Sequence, residues 1–349
     1  MPLKITSWNV EYGDKLLHDN TAAGKDRKKR IRQTLSSIDP DILCIVEGPK
    51  GEQGAVDYGT QVLGGDREPV LLSDDGGAVG SRDRDYATNM AGIQWIWFYV
   101  KPGLKDRCRL QPPAVWQQKT GCREWDMYLW GKPDKTVKHE HYRHPQVLTY
   151  RFDNGEQMEL IGVHLKSGYM QTKFSKDANG NLSAAYRDEA LTNRIKLATE
   201  ARNVRAYITK RFEETETAGE KPPAILILGD ANDGEGQDFF ETNYLFFSVV
   251  SNLEGNVLKS RQFFNHALFD YDPAKCWSIK FEDVVTGTKK EDNPLLLDHI
   301  LMSQPVCDGS YPVQANAGAG AVEHTAWEEN NPKGKTETSD HRPVSVTLA

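Results

Sequence analysis

The feature of this sequence that most constrains its fold is a series of short apolar segments, bounded by turn-forming or charged residues. Alternating or continuous apolar residues over such lengths predict buried β-strands, since a helix needs a longer run with wider spacing. We predict eight strands, over Leu3–Val10, Ile42–Val46, Gln94–Val100, Gln146–Phe152, Gln157–His164, Ala224–Gly229, His299–Ser303 and Pro343–Leu348.

Two helices are predicted between these strands. Asp26–Ile38 places apolar residues on one face and stops before Pro40. Ser183–Phe212 repeats apolar residues at helical spacing. Because strands dominate and the crossovers vary in length, we favour packed sheets with flanking helices over a regular doubly wound α/β fold. We interpret Gly51–Gly80 and Gly309–Lys335 as long surface loops.

The composition excludes several classes of protein. Charged residues make up 27% of the chain, near the average for soluble proteins, and no apolar run approaches the roughly 20 residues that a membrane helix needs. The first residues lack the basic and apolar regions of an export signal. The five cysteines are few, odd in number and without metal-ligand spacing, which indicates a reducing compartment. We therefore expect a cytoplasmic protein without membrane contact or an obligate protein partner.

Polar side chains collect where the predicted strands end or begin. Carboxylates, amides and imidazoles at one edge of a sheet would form an oxygen-rich site for a hard cation, with acid and base groups beside it. Any one of these residues alone could be an ordinary turn or cap residue, but their repetition around the chain favours a shared site. The residues are Asn9, Glu11, Glu47, His164, Asp230, Asn232, Asp298, Asp340 and His341.

Taken in order, these segments resemble the motifs of the endonuclease/exonuclease/phosphatase superfamily, which has the deoxyribonuclease I-like fold. The resemblance implies one domain, 1–349, built as a four-layer α/β/β/α sandwich in which two mixed β-sheets pack face to face with helices outside. It also implies a metal-dependent phosphoric ester hydrolase that uses Mg²⁺ or Mn²⁺. The motifs are Ser7–Glu11, the strand that ends at Glu47, Gly162–Ser167, Gly229–Asn232, Leu297–Leu301 and Ser339–Pro343.

The resemblance also implies a set of metal ligands. Glu47 would be the principal ligand, Asn9 and Glu11 would complete that side, and Asp340 would support the metal or its water. This donor set consists of oxygen ligands, which Mg²⁺ and Mn²⁺ prefer.

The catalytic roles follow from the same resemblance. Asp230 would orient or deprotonate the attacking water, and Asn232 would hold a phosphate oxygen. His341, oriented by Asp298, would contact the phosphate or transfer a proton. His164 would be a second histidine on the phosphate side, where it would stabilise charge or protonate the leaving oxygen.

Three basic residues near these motifs have separate interpretations. Arg143, which lies before Pro145, resembles an arginine that family members carry ahead of the central strand, and we expect it to bind substrate. Lys166, two residues after His164, is expected to bind substrate as well. Arg194 lies on the second predicted helix, and we interpret it as an exposed helix arginine.

A basic, aromatic-rich insertion is predicted around residues 101–145. From Lys101 to Tyr150 the chain carries ten lysines and arginines against five acids, whereas the whole chain has a net charge of −7. Basic groups among aromatic rings suit a phosphodiester chain with unstacked bases. The alternative is a solvated insertion whose aromatic side chains fold onto the sheets. The aromatic residues are Trp116, Trp125, Tyr128 and Trp130.

Three functions remain open on the sequence. The first is a metal-dependent nuclease or phosphodiesterase, with nucleic acid as its substrate. The second is a phosphatase or phosphodiesterase for a small phosphorylated metabolite or lipid headgroup, using the same site. The third is a binding or scaffold protein without activity, which the complete motifs disfavour. The basic insertion favours nucleic acid, whereas the acidic chain as a whole favours a small substrate.

Overall fold

Two six-stranded β-sheets form the centre of the protein in the computed structural model, which describes residues 2–75, 94–234, 239–244 and 248–349. The strands are β1 Leu3–Asn9, β2 Ile42–Gly48, β3 Glu68–Pro69, β4 Trp95–Val100, β5 Cys108–Leu110, β6 Trp125–Leu129, β7 Lys132–His139, β8 Gln146–Arg151, β9 Gln157–His164, β10 Ala224–Asp230, β11 Phe264–His266, β12 Ile279–Lys280, β13 Pro294–Leu295, β14 Asp298–Ser303, β15 Ala315–Val322 and β16 Val344–Leu348.

Helices of very different length connect these strands. Most have six to eight residues, and the two longest have 17 and 35. The helices are α1 Gly13–His18, α2 Ala22–Ile38, α3 Gly51–Gln61, α4 Pro113–Thr120, α5 Ala184–Ala218, α6 Phe239–Tyr244, α7 Val249–Glu254, α8 Gln304–Cys307 and α9 His324–Glu329.

Both sheets are mixed, and each has a parallel pair of strands near its centre. Sheet 1 has the order β15-β16-β1-β2-β4-β3, with β1 parallel to β2 and antiparallel to β16. Sheet 2 has the order β11-β14-β10-β9-β8-β5, with β10 parallel to β9 and antiparallel to β14. The two short hairpins, β6-β7 and β12-β13, lie outside the sheets.

A close approach of the two sheets explains one glycine. A Cβ atom built on Gly162 of β9 would lie 2.9 Å from Ile96 Cγ2 and 3.1 Å from Cys44 Sγ, which belong to sheet 1. These distances are shorter than ordinary van der Waals contacts, so a larger residue would push the sheets apart. The contact places the end of β9 beside the end of β2, and therefore His164 beside Glu47.

Helices cover the outer faces of both sheets. Ile31 and Leu35 of α2 are buried in the same apolar cluster as sheet 1. Val204 and Ile208 of α5 are buried with Ile225 of β10. Burial of an apolar face on each helix is what holds it against its sheet. This arrangement confirms the α/β/β/α sandwich expected from the sequence. Within the described part of the chain, no helix is both long and apolar enough to cross a membrane.

The two predicted surface loops contain regular structure. The region 51–80 begins with α3, which buries Glu52, Ala55 and Tyr58 on one face; residues 76–80 lie outside the described residues. The buried face of this helix includes a glutamate and an alanine, which give only a weak apolar pattern, so the helix was not predicted from the sequence. The region 309–335 contains β15 and α9. The β15 sequence consists of alanines and glycines with one asparagine and one valine, which lack the β-branched and aromatic pattern of a strand.

Candidate active site

The strand ends that the sequence singled out meet at one edge of the sandwich. In sheet 1, Asn9 pairs with Val46 at the carboxyl ends of β1 and β2. In sheet 2, Asp230 pairs with His164 on one side and with Asp298 on the other. A hydrogen bond of 3.0 Å from Asn9 Nδ2 to Asp230 Oδ2 joins the two sheets at this edge.

Three carboxylates form one side of the site, those of Glu11, Glu47 and Asp340. The backbone at Glu11, Tyr12 and Glu47 is left-handed, with φ of 49°, 56° and 58°. Non-glycine residues rarely adopt this conformation, which costs on the order of 1–3 kcal/mol each and is typical of functional sites. The Tyr12 N–H donates to Glu47 Oε2 at 2.9 Å, and the Glu11 N–H donates to Asn9 Oδ1 at 3.0 Å.

The three carboxylates repel one another, and a bound divalent cation would relieve this repulsion. Burial raises the pKa of the Glu11 carboxyl, and the negative charge of Asp340 raises that pKa further. The charge of Glu47 acts in the same direction, while that of Arg27 opposes it. A hard cation between oxygen ligands would relieve this repulsion. Asn9, Glu11, Glu47 and Asp340, the ligands expected from the sequence, are therefore compatible with Mg²⁺ or Mn²⁺.

A tightly bonded histidine and carboxylate form the opposite side. His341 Nδ1 donates to Asp298 Oδ2 at 2.6 Å, and both side chains are buried. Burial alone would lower the pKa of His341, but the charge of Asp298 and the hydrogen bond to it raise that pKa to about 10. The imidazole is therefore positively charged at neutral pH, and the bond at Nδ1 leaves its Nε2–H for a ligand.

Asp230 lies between the two sides of the site. Burial raises the pKa of Asp230 to about 7, although the positive charge of His341 opposes the rise. Its Oδ1 accepts the Asn232 N–H at 2.8 Å. Asn232 also has a left-handed backbone, with φ of 51°, and its Nδ2 donates to the Leu165 carbonyl at 3.0 Å. The amide of Asn232 therefore keeps one N–H for a ligand.

His164 faces both the metal side and the base. Its Nε2 lies 4.0 Å from Glu47 Oε1 and 3.7 Å from Asp230 Oδ2. Burial, together with the positive charges of Arg143 and His341, lowers the pKa of His164 well below its ordinary value. A neutral imidazole donates a single hydrogen bond. His164 is thus better suited to stabilising charge than to protonating a leaving group.

A second set of residues could also hold a metal ion. One ligand atom from each of Asp230, Asp298 and His341 lies within 4.8 Å of the others, and all three residues are buried. However, Asp298 Oδ2 already accepts from His341, and a protonated imidazole cannot bind a metal. We therefore favour the Glu11, Glu47 and Asp340 side for the cation.

Arg143 and Lys166, the two basic residues expected to bind substrate, lie beside the site. The Arg143 guanidinium donates to Gln94 Oε1 at 2.7 Å and to the Leu165 carbonyl at 3.5 Å. Burial lowers the pKa of Arg143, although the negative charges of Glu47 and Asp230 oppose this shift. Lys166 follows Leu165, and its N–H donates to Glu200 Oε2 at 2.7 Å.

Residues that hold the site loops in place were not predicted from the sequence. Arg27 donates to the Val10 and Thr338 carbonyls at 2.8 and 2.9 Å, which joins the loop after β1 to the loop before β16. Ser278 Oγ accepts the Asp298 N–H at 3.2 Å, and the Ser278 carbonyl accepts from Arg342 N. No local pattern in the sequence indicates these long-range bonds.

The interpretation of Arg194 as an exposed helix arginine was wrong. Its side chain is only 14% exposed, and its Nη1 lies 2.8 Å from Asp233 Oδ1. Asp233 is itself buried, and its carbonyl accepts a hydrogen bond from His299 Nε2 at 2.8 Å. The pair therefore anchors the loop that carries Asn232 to α5 and to β14.

The insertion presents less positive charge than its composition suggested. Several of its basic residues form ion pairs with acids elsewhere in the chain, among them Lys119 with Glu214 at 2.6 Å and Arg107 with Asp153 at 2.6 Å. Trp116 is buried and stacks on Tyr207, with ring centroids 4.4 Å apart. Part of the insertion therefore packs onto α5, as the alternative interpretation expected.

Two solved structures with TM-scores above 0.5 agree with the fold that the resemblance implied. D. rerio TDP2 carrying 14 humanizing mutations matches with a TM-score of 0.51 at 14% identity, over 100% of this chain and 99% of that one. TDP2 from C. elegans matches with a TM-score of 0.51 at 12% identity, over 100% of this chain and 75% of that one. An endonuclease/exonuclease/phosphatase family protein from Bacteroides thetaiotaomicron gives 0.45 at 16% identity, over 100% and 97%. No family model and no curated protein matches the sequence.

Proposed function

We propose that this protein is a divalent-metal-dependent phosphoric ester hydrolase, and that it cleaves phosphodiester bonds in nucleic acid. The observation that carries the proposal is the placement of two chemically different groups at one edge of the sandwich. The carboxylates of Glu11, Glu47 and Asp340 lie on one side, and the His341–Asp298 pair lies on the other, with Asp230 between them. This arrangement supports hydrolysis of a phosphate ester, which needs charge stabilisation and a base for water.

Asn9, Glu11, Glu47 and Asp340 would hold the cation. When bound, Mg²⁺ or Mn²⁺ supplies positive charge to the phosphate oxygens and acidifies water. Burial raises the pKa of Glu11, and repulsion from Asp340 and Glu47 adds to the rise; a cation would relieve that repulsion, which supports this assignment over a purely structural role for the carboxylates.

The remaining side chains would act on the phosphate and on the water. Asp230, whose pKa of about 7 suits proton transfer near neutral pH, would accept a proton from the attacking water. The Nε2–H of His341 would donate to a phosphate oxygen, with Asp298 fixing the ring orientation. Asn232 would donate its second N–H to the same group. His164 would donate a hydrogen bond as a neutral imidazole.

A smaller substrate is the second candidate. The ion pairs of Lys119 and Arg107 reduce the charge that the insertion presents, and the whole chain carries a net charge of −7. Both facts favour a phosphorylated metabolite or lipid headgroup over a long polyanion.

One panel of assays tests the proposal. The purified protein would be incubated with Mg²⁺, Mn²⁺ or EDTA and with plasmid, single-stranded DNA, RNA, bis-p-nitrophenyl phosphate and p-nitrophenyl phosphate. We expect metal-dependent cleavage of the diesters, including at least one nucleic acid. Turnover of the monoester alone would favour the metabolite phosphatase, and full activity in EDTA would exclude the metal.

A further inference from the structure

Three basic residues lie near one another beside the candidate active site, and we call them the basic cluster: Arg143, Lys166 and Lys196. Arg143 donates to the Leu165 carbonyl at 3.5 Å, and Lys166 is the next residue in the chain. The backbone N–H of Lys166 donates to Glu200 Oε2 at 2.7 Å. Lys196 precedes Glu200 by four residues on α5 and therefore lies on the same face of that helix.

The basic cluster brings like charges together in a partly buried place. All three residues have intermediate exposure. Burial lowers the pKa of Lys166, and the positive charges of Lys196 and Arg143 lower that pKa further. Lys166 Nζ donates to the Ser167 carbonyl, and the Arg143 guanidinium donates to Gln94 Oε1. Among the residues that the structure describes, neither of these side chains nor that of Lys196 forms a salt bridge with a carboxylate.

Two acids whose charges act on Lys166, Glu200 and Glu189, already accept other hydrogen bonds. Glu200 is buried, and its two oxygens accept from His139 Nε2 at 2.9 Å and from the Lys166 N–H. Glu189 accepts from the Gln171 and Thr172 N–H groups at 2.7 and 2.9 Å. These bonds hold both carboxylates in place. Their negative charges reduce the repulsion among the three basic residues, but neither carboxylate forms a salt bridge with the cluster.

Arg143 connects the basic cluster to the candidate active site. The negative charges that act on its guanidinium include Glu47 and Asp230 of the active site, and also Glu200 beside Lys166. The Leu165 carbonyl, which Arg143 contacts, also accepts a hydrogen bond at 3.0 Å from Asn232 Nδ2. Lys166, in contrast, donates its backbone N–H to Glu200 of α5. The cluster therefore extends away from the reacting phosphate rather than surrounding it.

We propose that the basic cluster binds a second phosphate group of the substrate, adjacent to the phosphate that is hydrolysed. This inference rests on the proposed function, because it assumes that a phosphate ester occupies the carboxylate and histidine site. A guanidinium and two ammonium groups supply many donors and no acceptor, which matches a phosphate. Lys196, which no sequence motif indicated, becomes a specificity-determining residue that favours substrates with neighbouring phosphates over isolated esters.

Binding measurements with a catalytically disabled protein test the inference. Asp230→Asn would be titrated with labelled oligonucleotides in which one phosphate at a time is replaced by a neutral methylphosphonate. We expect one position at which the replacement weakens binding about ten-fold, as loss of a charged hydrogen bond predicts. Adding Lys196→Gln should abolish the sensitivity at that position alone.

The matched control is Lys210→Gln on the same helix. Lys210 is exposed and lies 3.9 Å from Glu213, so its replacement makes the same charge change away from the cluster. It should leave the pattern of methylphosphonate sensitivity unchanged. If Lys196→Gln behaves like Lys210→Gln, the second phosphate site is refuted.

A small-molecule arm identifies the source of the second phosphate. Thymidine 5′-p-nitrophenyl phosphate would be compared with its 3′-phosphorylated form in protein with and without Lys196→Gln. A lower KM for the 3′-phosphorylated form that disappears in Lys196→Gln supports the site with a small bisphosphate as occupant. Lys210→Gln should hydrolyse bis-p-nitrophenyl phosphate at the normal rate and keep the lower KM for the 3′-phosphorylated form. If the unaltered protein hydrolyses no ester, the proposed function fails, while the binding titrations still decide the cluster.

Discussion

At the scale of single residues, the carboxylate of Glu47 is the clearest test of the metal side. Its side chain is only partly buried and accepts from the Tyr12 N–H, a bond that an amide oxygen can also accept, so Glu47→Gln should fold normally. We expect weaker Mn²⁺ binding and turnover reduced roughly 100-fold or more, because the amide loses the charge that holds the cation. Calorimetric titration with Mn²⁺ and a diester assay measure both effects. Glu213→Gln, on the exposed face of α5, should change neither.

The His341–Asp298 pair gives a prediction that needs no substrate. His341 has a pKa of about 10 in the folded protein, above its ordinary value of 6.5. The pair therefore stabilises the fold fully below pH 6.5, and this stabilisation is lost as the pH rises toward 10. In Asp298→Asn the pKa of His341 should fall. Burial lowers this pKa, and the negative charge of Asp298 that opposes burial is then lost.

Imidazole proton resonances followed by NMR against pH would measure this change directly. Asp308→Asn, which alters an exposed carboxyl, is the control and should leave the His341 titration in place. An unchanged titration in Asp298→Asn would show that Asp298 does not set the charge of His341.

At the scale of elements, the strands could be predicted from the sequence where neighbouring residues alone indicate them. The strand that ends at Glu47 and the one that ends at His164 were identified because a polar residue interrupts an apolar run. The bond from Asn9 to Asp230 was not predicted, since it joins residues 221 positions apart. The same reason hid Ser278 and Lys196. Their partners lie on other elements, and only the packing of those elements brings them near the site.

The contact between sheets at Gly162 gives an element-scale prediction. A Cβ there would lie 2.9 Å from Ile96 Cγ2 and 3.1 Å from Cys44 Sγ. Gly162→Ala should therefore lower the free energy of unfolding by about 1–3 kcal/mol, as overpacking of a core does. Denaturant unfolding measures this loss. Gly103→Ala is the matched control, because a Cβ at Gly103 meets no atom within 4 Å. Equal stability of the two variants would contradict the close approach of the sheets.

At the scale of the whole molecule, the distribution of charge decides how a polyanion could be bound. The protein has a net charge of −7, and ion pairs occupy much of the positive charge of the insertion. Positive charge near the candidate active site instead resides in Arg143, Lys166 and Lys196. A nucleic acid would therefore be held over a short span near the reacting phosphate rather than along an extended basic surface.

The salt dependence of binding tests this view of the whole molecule. On a single strand, each neutralised phosphate contributes roughly −0.7 to the slope of log affinity against log salt. Lys132 and Lys135 are exposed on β7, whereas Lys119 is paired with Glu214 at 2.6 Å. In the Asp230→Asn background, reversing Lys132 and Lys135 to Glu should therefore leave the slope nearly unchanged, because the strand is held by the residues near the reacting phosphate. Lys119→Glu should lower stability and leave the slope unchanged, because it replaces an ion pair by a like-charge contact. A slope that becomes less negative by roughly 0.7 or more when Lys132 and Lys135 are reversed would instead place phosphates along the insertion.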